Sequence, residues 1–352
     1  MFKSVTISNF RCFKEFHIDS LDRVNLIAGQ NSVGKTALLE AIFLLIGAEN
    51  LGLVIKISQF RGIKDLRGDL QSILELLWAP LFHKLQTDAK INVSGELDTG
   101  GRHCVEFFLT PVTTQKLSLN SETEPNLSDQ ILEQKYTDPS GNISSFEMKF
   151  VEGDLTVEPI SSSPPFPGSF LTSRSGLLGP QEVDLFGRLI KSKRSYVQDL
   201  VKALKIVENR LEHLAIVPSG GSSMIYGDIG LDQMLPLSLL GDGIARFASI
   251  LFRMANAPGG IVLIDEIENG LHHSIMRDVW RAIGEAAETF DTQVFATTHS
   301  YECIREAHEA FKESGNYDFR LHRLDGIDAK IKAVTFDQDM LETAIESFLD
   351  VR

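Results

Sequence analysis

The sequence predicts an α/β protein with a mixed sheet core, an antiparallel β lobe and a helical insertion. Three observations carry that prediction. A glycine-rich loop at residues 29–36 stands between a short apolar run and a stretch that is apolar on every side at helical spacing. A second apolar run, Ile261-Val262-Leu263-Ile264, stops at two carboxylates, Asp265 and Glu266. Between them, residues 90–160 carry short apolar segments separated by polar turns, the pattern of antiparallel strands.

Taken in order, residues 3–16 roughly alternate and read as strand, as does Val24-Asn25-Leu26-Ile27-Ala28 before its glycine. Residues 36–46, apolar all round, suit a helix buried between layers. Residues 69–78 read as a short helix closed off by Pro80. Strands are expected at 91–97, 104–109, 146–150 and 155–157, with a polar, loop-rich stretch at 121–145. The serine- and proline-rich run 161–168 breaks both helix and strand and marks a connector. A helical pattern over 183–214 would extend about 48 Å if unbroken, far too short for a long coiled-coil arm. Residues 243–255 are apolar at helical spacing, and the wholly apolar run 261–264 implies a central parallel strand covered on both faces. Helix 275–289, strand 293–297, helix 301–313 and a final hairpin and helix complete the chain. The expected organisation is one unit over 1–352. Its core comes from 1–60 and 230–350, its β lobe from 90–160 and its helical insertion from 183–225.

The chain has 352 residues and a formal charge of −14, from 34 basic and 48 acidic side chains. That balance excludes a protein that coats its whole surface in nucleic acid or anionic lipid, while leaving room for a local basic strip. Three cysteines, Cys12, Cys104 and Cys303, are odd in number and far apart, which argues against a disulfide framework and fits a reducing compartment. The N-terminal run lacks a secretory pattern and no uncharged apolar stretch reaches 18 residues, so a cytoplasmic protein without membrane contact is expected.

Gly29-Gln30-Asn31-Ser32-Val33-Gly34-Lys35-Thr36, continuing to Ala37, satisfies the phosphate-loop pattern. Its glycines let backbone N–H groups curl round phosphates. Lys35 supplies a point charge, Thr36 a hydroxyl for magnesium, and the helix starting there its positive end. A hydrolase also needs an acid that holds the metal and a group that activates water. Asp265 suits the first role and Glu266 the second, both at the end of a buried strand. In Thr297-Thr298-His299-Ser300, again at a strand end, His299 suits a hydrogen bond to the terminal phosphate or the attacking water. The expected ligands are ATP and Mg²⁺.

In this order, the phosphate loop, the Asp-Glu strand and the histidine resemble the ABC-type ATPases of the SMC/RecF class. Within it the chain looks like the OLD-type (overcoming lysogenization defect) AAA ATPases of bacteria. Ile7-Ser8-Asn9-Phe10-Arg11-Cys12-Phe13 is similar to that family's start. Leu237-Ser238-Leu239-Leu240-Gly241-Asp242-Gly243 is similar to its signature, and Ile267-Glu268-Asn269-Gly270-Leu271-His272 to its D-loop. The resemblance covers residues 1–60 and 230–350 and implies an ABC/SMC-type ATPase head. It further implies a homodimer, or a larger assembly, in which ATP on Lys35 and Thr36 of one copy meets Gly241, Asp242 and Gly243 of the other. Arg11 would lie near the α phosphate or ribose.

The chain departs from the class in two places. Gly241-Asp242-Gly243 stands where transporter ATPases have Ser-Gly-Gly, which leaves the serine contact missing or supplied by Ser238. Gln59 is the candidate lid glutamine for magnesium. Many OLD-type proteins carry a Toprim nuclease domain after the histidine, and the roughly 50 residues that follow His299 cannot house one. The resemblance therefore implies a sensor or regulator of a separate effector, a nuclease or a toxin, in defence against phage or foreign DNA. The alternative is a RecF-like repair ATPase that binds DNA directly, through Lys191, Lys193, Arg194, Lys202 and Lys205, which serve equally as the solvent face of a helix. A transporter subunit is disfavoured by the altered signature.

Overall fold

The computed structural model describes residues 1–63, 75–111, 130–151, 154–159, 164–174, 178–192, 194–219, 221–327 and 330–352. Strands β1 (Phe2–Phe10) and β2 (Phe13–Ile18) form a hairpin, and β3 (Val24–Gly29) leads into helices α1 (Lys35–Ile46) and α2 (Leu53–Phe60). Next come β4 (Ile91–Leu97), β5 (Arg102–Pro111), β6 (Gln130–Thr137), β7 (Ile143–Val151) and β8 (Asp154–Glu158). Strand β9 (Gly168–Leu171) is followed by α3 (Pro180–Ser192) and α4 (Arg194–Leu204), then by β10 (His213–Ser219), β11 (Ser222–Asp228) and β12 (Leu235–Pro236). Helix α5 (Asp242–Ala255), β13 (Ile261–Ile264), α6 (Met276–Thr289), β14 (Gln293–Thr297) and α7 (Tyr301–Ser314) precede the closing β15 (Phe319–Ile327), β16 (Lys330–Phe336) and α8 (Gln338–Glu346).

The chain is α/β with mixed sheets, as its sequence predicts. One sheet runs β2-β1-β4-β5-β6-β7-β8 with every pairing antiparallel. A second runs β16-β15-β3-β14-β13-β9; it is parallel except for β16, and β10-β11-β12 form a small third sheet. Strand β13 reads as unbroken apolar sequence because it lies between β9 and β14 with all four residues buried. Helix α1 is apolar all round for a related reason: it lies between the two large sheets, packed on β4 and β5 of one and β9 and β13 of the other. Gln293 fastens the sheets together. Its side chain accepts from the Phe2 N–H and donates to the Phe2 carbonyl, so an interior polar group is satisfied by both layers. The opposite face of the parallel sheet is covered by α5, α6 and α7.

Two expectations change. The helical pattern over 183–214 resolves into α3 and α4, which end at Leu204, and in the rest of 183–225 a turn over 205–212 leads into the β10–β11 hairpin. Leu204, Leu211 and Leu214 share helical spacing and are all buried, but the Glu208–Arg210 turn, where Glu208 accepts from the Arg210 N–H, redirects the chain between them. In the expected loop 121–145, residues 130–137 form β6, an interior strand that buries Leu132, Gln134 and Tyr136; residues 121–129 lie outside the described residues, as do 69–74 of the expected helix at 69–78.

Candidate active site

Strand β3 ends at Gly29, where a Cβ would lie 2.7 Å from the Leu324 carbonyl oxygen and where φ is +141°. Gly34, with φ +109°, has the Cys12 sulfur 2.7 Å from where its Cβ would be. A side chain at either place collides, so the turn from strand to helix requires glycine. Ser32 takes φ +64° between them. Lys35 begins α1 and folds back, its Nζ donating to the carbonyls of Gly29 at 2.6 Å and Gln30 at 2.9 Å. Burial pushes its pKa down to about 8, against the opposing pull of Asp265, Glu266 and Glu268.

A cleft of about 790 Å³ opens over this loop, lined by Arg11, Asn31, Ser32, Gly34, Lys35, Thr36, Ala37, Arg61, Glu266 and His299, together with Pro80, Phe82, Lys84 and Leu85. That volume falls within the usual range of small-molecule sites. Asp265, 5% exposed, is held from three elements. Thr36 Oγ1 donates to its carboxylate at 3.1 Å, Thr297 Oγ1 at 2.7 Å and Ser173 Oγ at 3.3 Å. Glu266 sits at φ +51°, its N–H donating to Thr297 Oγ1 at 2.8 Å and its Oε2 accepting from Asn269 at 2.7 Å. The His299 N–H donates to Glu268 at 2.8 Å, placing the histidine at the mouth of the same cleft.

Several expected residues fall elsewhere. Gln59 is exposed at the end of α2 and does not line the cleft, whereas Arg61, two residues on, does. Ser238, Gly241 and Asp242 are exposed and lie outside the cleft of their own chain. Gly241 takes φ +118° before α5, and a Cβ on Gly243 would lie 2.8 Å from the Gly270 carbonyl oxygen, so the signature turn rests on the loop that follows Glu266. Gln30 and Val33 shape the turn through the Val33 N–H to Gln30 carbonyl contact at 3.4 Å.

Sequence reasoning missed Ser173, Glu40, Arg61 and Arg246, and gave Thr297 no role. Arg246 left a signal, a charge among the apolar positions of α5. It is 2% exposed and donates to the carbonyls of Thr172 at 3.1 Å and Asp265 at 2.5 Å. Burial lowers its pKa to about 10, still charged near neutrality.

Thr36, Ser173 and Asp265 bring only oxygen donors to one point, a set that suits a hard divalent cation such as Mg²⁺. Among the described residues no three His, Cys, Asp or Glu side chains are grouped so as to hold a metal ion, and no helix is long and apolar enough to cross a membrane.

The family model described as "AAA domain, putative AbiEii toxin, Type IV TA system" matches residues 24–305. An "ATP/GTP phosphatase" of Helicobacter pylori is 25% identical over 344 residues, covering 89% of each chain. The "DNA replication and repair protein RecF" of Exiguobacterium sp. is 21% identical over 317 residues, 89% of this chain and 67% of that one. A solved SMC head, crystallised with the C-winged helix domain of ScpA, superposes with a TM-score of 0.51 at 13% identity, covering 98% of this chain and 99% of that one; the likeness is of fold.

Proposed function

The chain belongs to the AAA-domain family described as putative AbiEii toxin of type IV toxin–antitoxin systems, within the SMC/RecF-like P-loop ATPases, and from that premise we propose that it hydrolyses ATP as a homodimer. The observation that carries this reading is the meeting of Thr36 and Asp265 at 3.1 Å, where the cleft lined by Lys35, Thr36 and Glu266 adjoins the pocket lined by Thr36, Asp265 and Glu266. Backbone N–H groups of residues 31–36 and the Lys35 ammonium would hold the phosphates. Thr36 and Asp265 would hold Mg²⁺, which supplies Lewis-acid stabilisation of the phosphate oxygens when bound. Glu266, fixed by Asn269, would orient a water and take its proton, and His299 would contact the terminal phosphate. Arg11 would meet the α phosphate or ribose. Gly241, Asp242, Gly243 and Ser238, which do not line their own cleft, would complete the partner's site.

The same reading, with its OLD-type likeness, makes the dimer a cytoplasmic sensor that releases or restrains a separate nuclease or toxin in defence against foreign DNA. A RecF-like role at DNA is the second reading, favoured by the RecF relative that spans most of the chain and by exposed Lys191 on α3, Lys202 on α4 and Lys205 just beyond it; Lys193 and the side chain of Arg194 lie outside the described residues. Steady-state ATP turnover per chain, over a hundred-fold range of protein concentration with and without duplex DNA, separates them. Turnover that rises with concentration supports sites completed between copies, and acceleration by DNA moves the reading to repair. Turnover proportional to chain number at every concentration, under conditions where sedimentation shows monomer, would end the dimer proposal.

A further inference from the structure

Glu268 carries a buried oxygen with nothing to bind. It stands in the turn that follows β13, and its Oε1 accepts the His299 N–H at 2.8 Å, the side chain's one hydrogen bond among the described residues. Its Oε2 is shut off from solvent without a donor, and no other carboxylate oxygen of the described residues is buried in that condition. Burying such an acceptor unpaired is costly, and more so when it is charged. Lys35 and Arg246 lie close enough for its charge to act on both, yet their donors go to backbone carbonyls. An orphaned oxygen beside a catalytic cleft calls for a partner that arrives later.

The residue it holds has the complementary lack. His299 is exposed at the cleft, and neither of its ring nitrogens has a hydrogen-bond partner among the described residues. Most charged groups around that cleft are cationic: Arg11 from the β1–β2 turn, Lys35 from α1, Arg61 beyond α2 and Lys84 ahead of β4. The nearby acids are already engaged. Glu266 Oε2 accepts from Asn269 at 2.7 Å, and Asp265 accepts from Thr36, Thr297 and Ser173. That leaves Glu268 Oε2, on the carboxylate that already grips the His299 backbone, as the open anionic acceptor for its ring. A carboxylate has lone pairs for both donors, and the bond made at one ring nitrogen decides what the other presents.

Resting on the hydrolase reading above, we infer that Glu268 is the positioning residue of His299. With nucleotide bound, a turn of the imidazole about its χ1 brings Nδ1–H to Oε2, so that one carboxylate holds both the backbone N–H and the ring of the same residue. The ring, protonated at both nitrogens, then presents Nε2–H to the terminal phosphate. No bond of the ring is made or broken. The water oxygen bonds to the terminal phosphorus, the bond to the bridging oxygen breaks with its electron pair left on the diphosphate, and the water proton passes to Glu266 and then to solvent. His299 keeps both protons throughout. Positive charge fixed in advance beside oxygens that gain negative charge is what lowers the barrier to such a transfer. Glu268 reaches the phosphate only through the ring.

A Glu268 that only capped the His299 N–H would need one carbonyl-type acceptor, which glutamine keeps; Glu268→Gln loses the second acceptor alone and so separates the two roles. The test measures ATP affinity and kcat in full-length wild type, Glu268→Gln, His299→Gln, the double variant and Glu266→Gln. Glu268→Gln should lower kcat about ten- to a hundred-fold while ATP affinity changes less than about five-fold, and the double variant should be no slower than His299→Gln. Nitrogen-15 NMR of histidine-labelled protein, with His299→Gln identifying the signals, gives the second readout. In wild type with Mg²⁺ and a non-hydrolysable ATP analogue, at about one pH unit above the ordinary histidine value, both ring nitrogens of His299 should carry protons, and Glu268→Gln should lose that protonation. Wild-type kcat in Glu268→Gln, or losses that multiply in the double variant, would overturn the inference. So would a neutral His299 ring in the wild-type complex, a result that needs no Glu268 variant to fold. Turnover left intact by His299→Gln would remove the histidine's contact with phosphate and this inference with it, whereas a wild type no faster than Glu266→Gln would remove the hydrolase reading itself.

Discussion

Thr297, the last residue of β14, holds Asp265 in place from the neighbouring strand: its Oγ1 donates to Asp265 Oδ1 at 2.7 Å and accepts from the Glu266 N–H at 2.8 Å. One hydroxyl thus orients both carboxylate-bearing residues beyond β13, and the parallel pairing of β13 with β14 brings it there. Thr297→Val keeps the shape and removes both bonds. The expected cost is about 1–3 kcal/mol in urea unfolding, because a buried carboxylate oxygen and a backbone N–H each lose a partner. Nucleotide affinity should also become less dependent on Mg²⁺. A variant with wild-type stability and an unchanged Mg²⁺ titration would show that the hydroxyl is dispensable.

A second prediction concerns acid stability. His322 is fully buried, with Nδ1 3.0 Å from Thr335 Oγ1 and Nε2 3.3 Å from Asn25 Oδ1. Burial, then Arg320, push its pKa down to about 3. The folded chain therefore keeps this ring neutral while the unfolded chain takes up a proton below about pH 6.5. Protonation favours the unfolded state, so stability is lost as pH falls through 6.5 and continues to fall until about 3. From pH 6.5 to 5 this amounts to about 2 kcal/mol. His322→Gln should flatten that part of the profile, and equal acid sensitivity in variant and wild type would contradict the assignment.

A third concerns the contact of α3 with α5. Glu182 and Arg253 meet at 2.7 Å with side chains only 3% and 2% exposed. Arg253→Ala leaves a buried carboxylate without its partner and should cost about 3–5 kcal/mol. Replacing both, as Glu182→Leu with Arg253→Met, should recover most of that loss. Thermal and urea unfolding of the single and double variants decide it, and a double variant as unstable as the single one would mean that the charges are not what matters.

A fourth concerns Arg246, which ties α5, four residues beyond Asp242, to the backbone of Thr172 and Asp265. Arg246→Leu removes the donors from these carbonyls. The expected results are destabilisation of about 1–3 kcal/mol and a kcat lowered at least about ten-fold, with ATP affinity largely retained. Wild-type turnover in a folded variant would show that this link between signature helix and acid strand carries no functional weight.

The parts of the fold written in local pattern were legible in the sequence. Ile261–Ile264 reads as a doubly covered strand because every residue is apolar, and the phosphate loop is recognisable because Gly29 and Gly34 occupy positions where a side chain collides. Strand β6 was not legible: Gln130–Thr137 alternates Leu132 and Tyr136 with a buried Gln134, a polar residue that disguises the inward face. The helix expected through 214 fails because leucine spacing does not register a two-residue ion-paired turn at Glu208 and Arg210. At the site, Lys35, Thr36, Asp265, Glu266 and His299 each stand at the end of a strand or the start of a helix, where motif reading works. Glu40 and Arg61 meet across 21 positions, and Ser173 reaches Asp265 across 92, so only the folded chain brings them together.

The most direct test of the central claim is ATP hydrolysis with Mg²⁺, compared among wild type, Lys35→Ala and Glu266→Gln, with nucleotide binding measured on the same samples. Wild type is expected to turn over ATP. Glu266→Gln is expected to bind it about as well but to hydrolyse it at least about a hundred-fold more slowly, and Lys35→Ala to bind it poorly. A folded Glu266→Gln that hydrolyses ATP at the wild-type rate, or a folded wild type that binds no nucleotide, would contradict the assignment of this cleft.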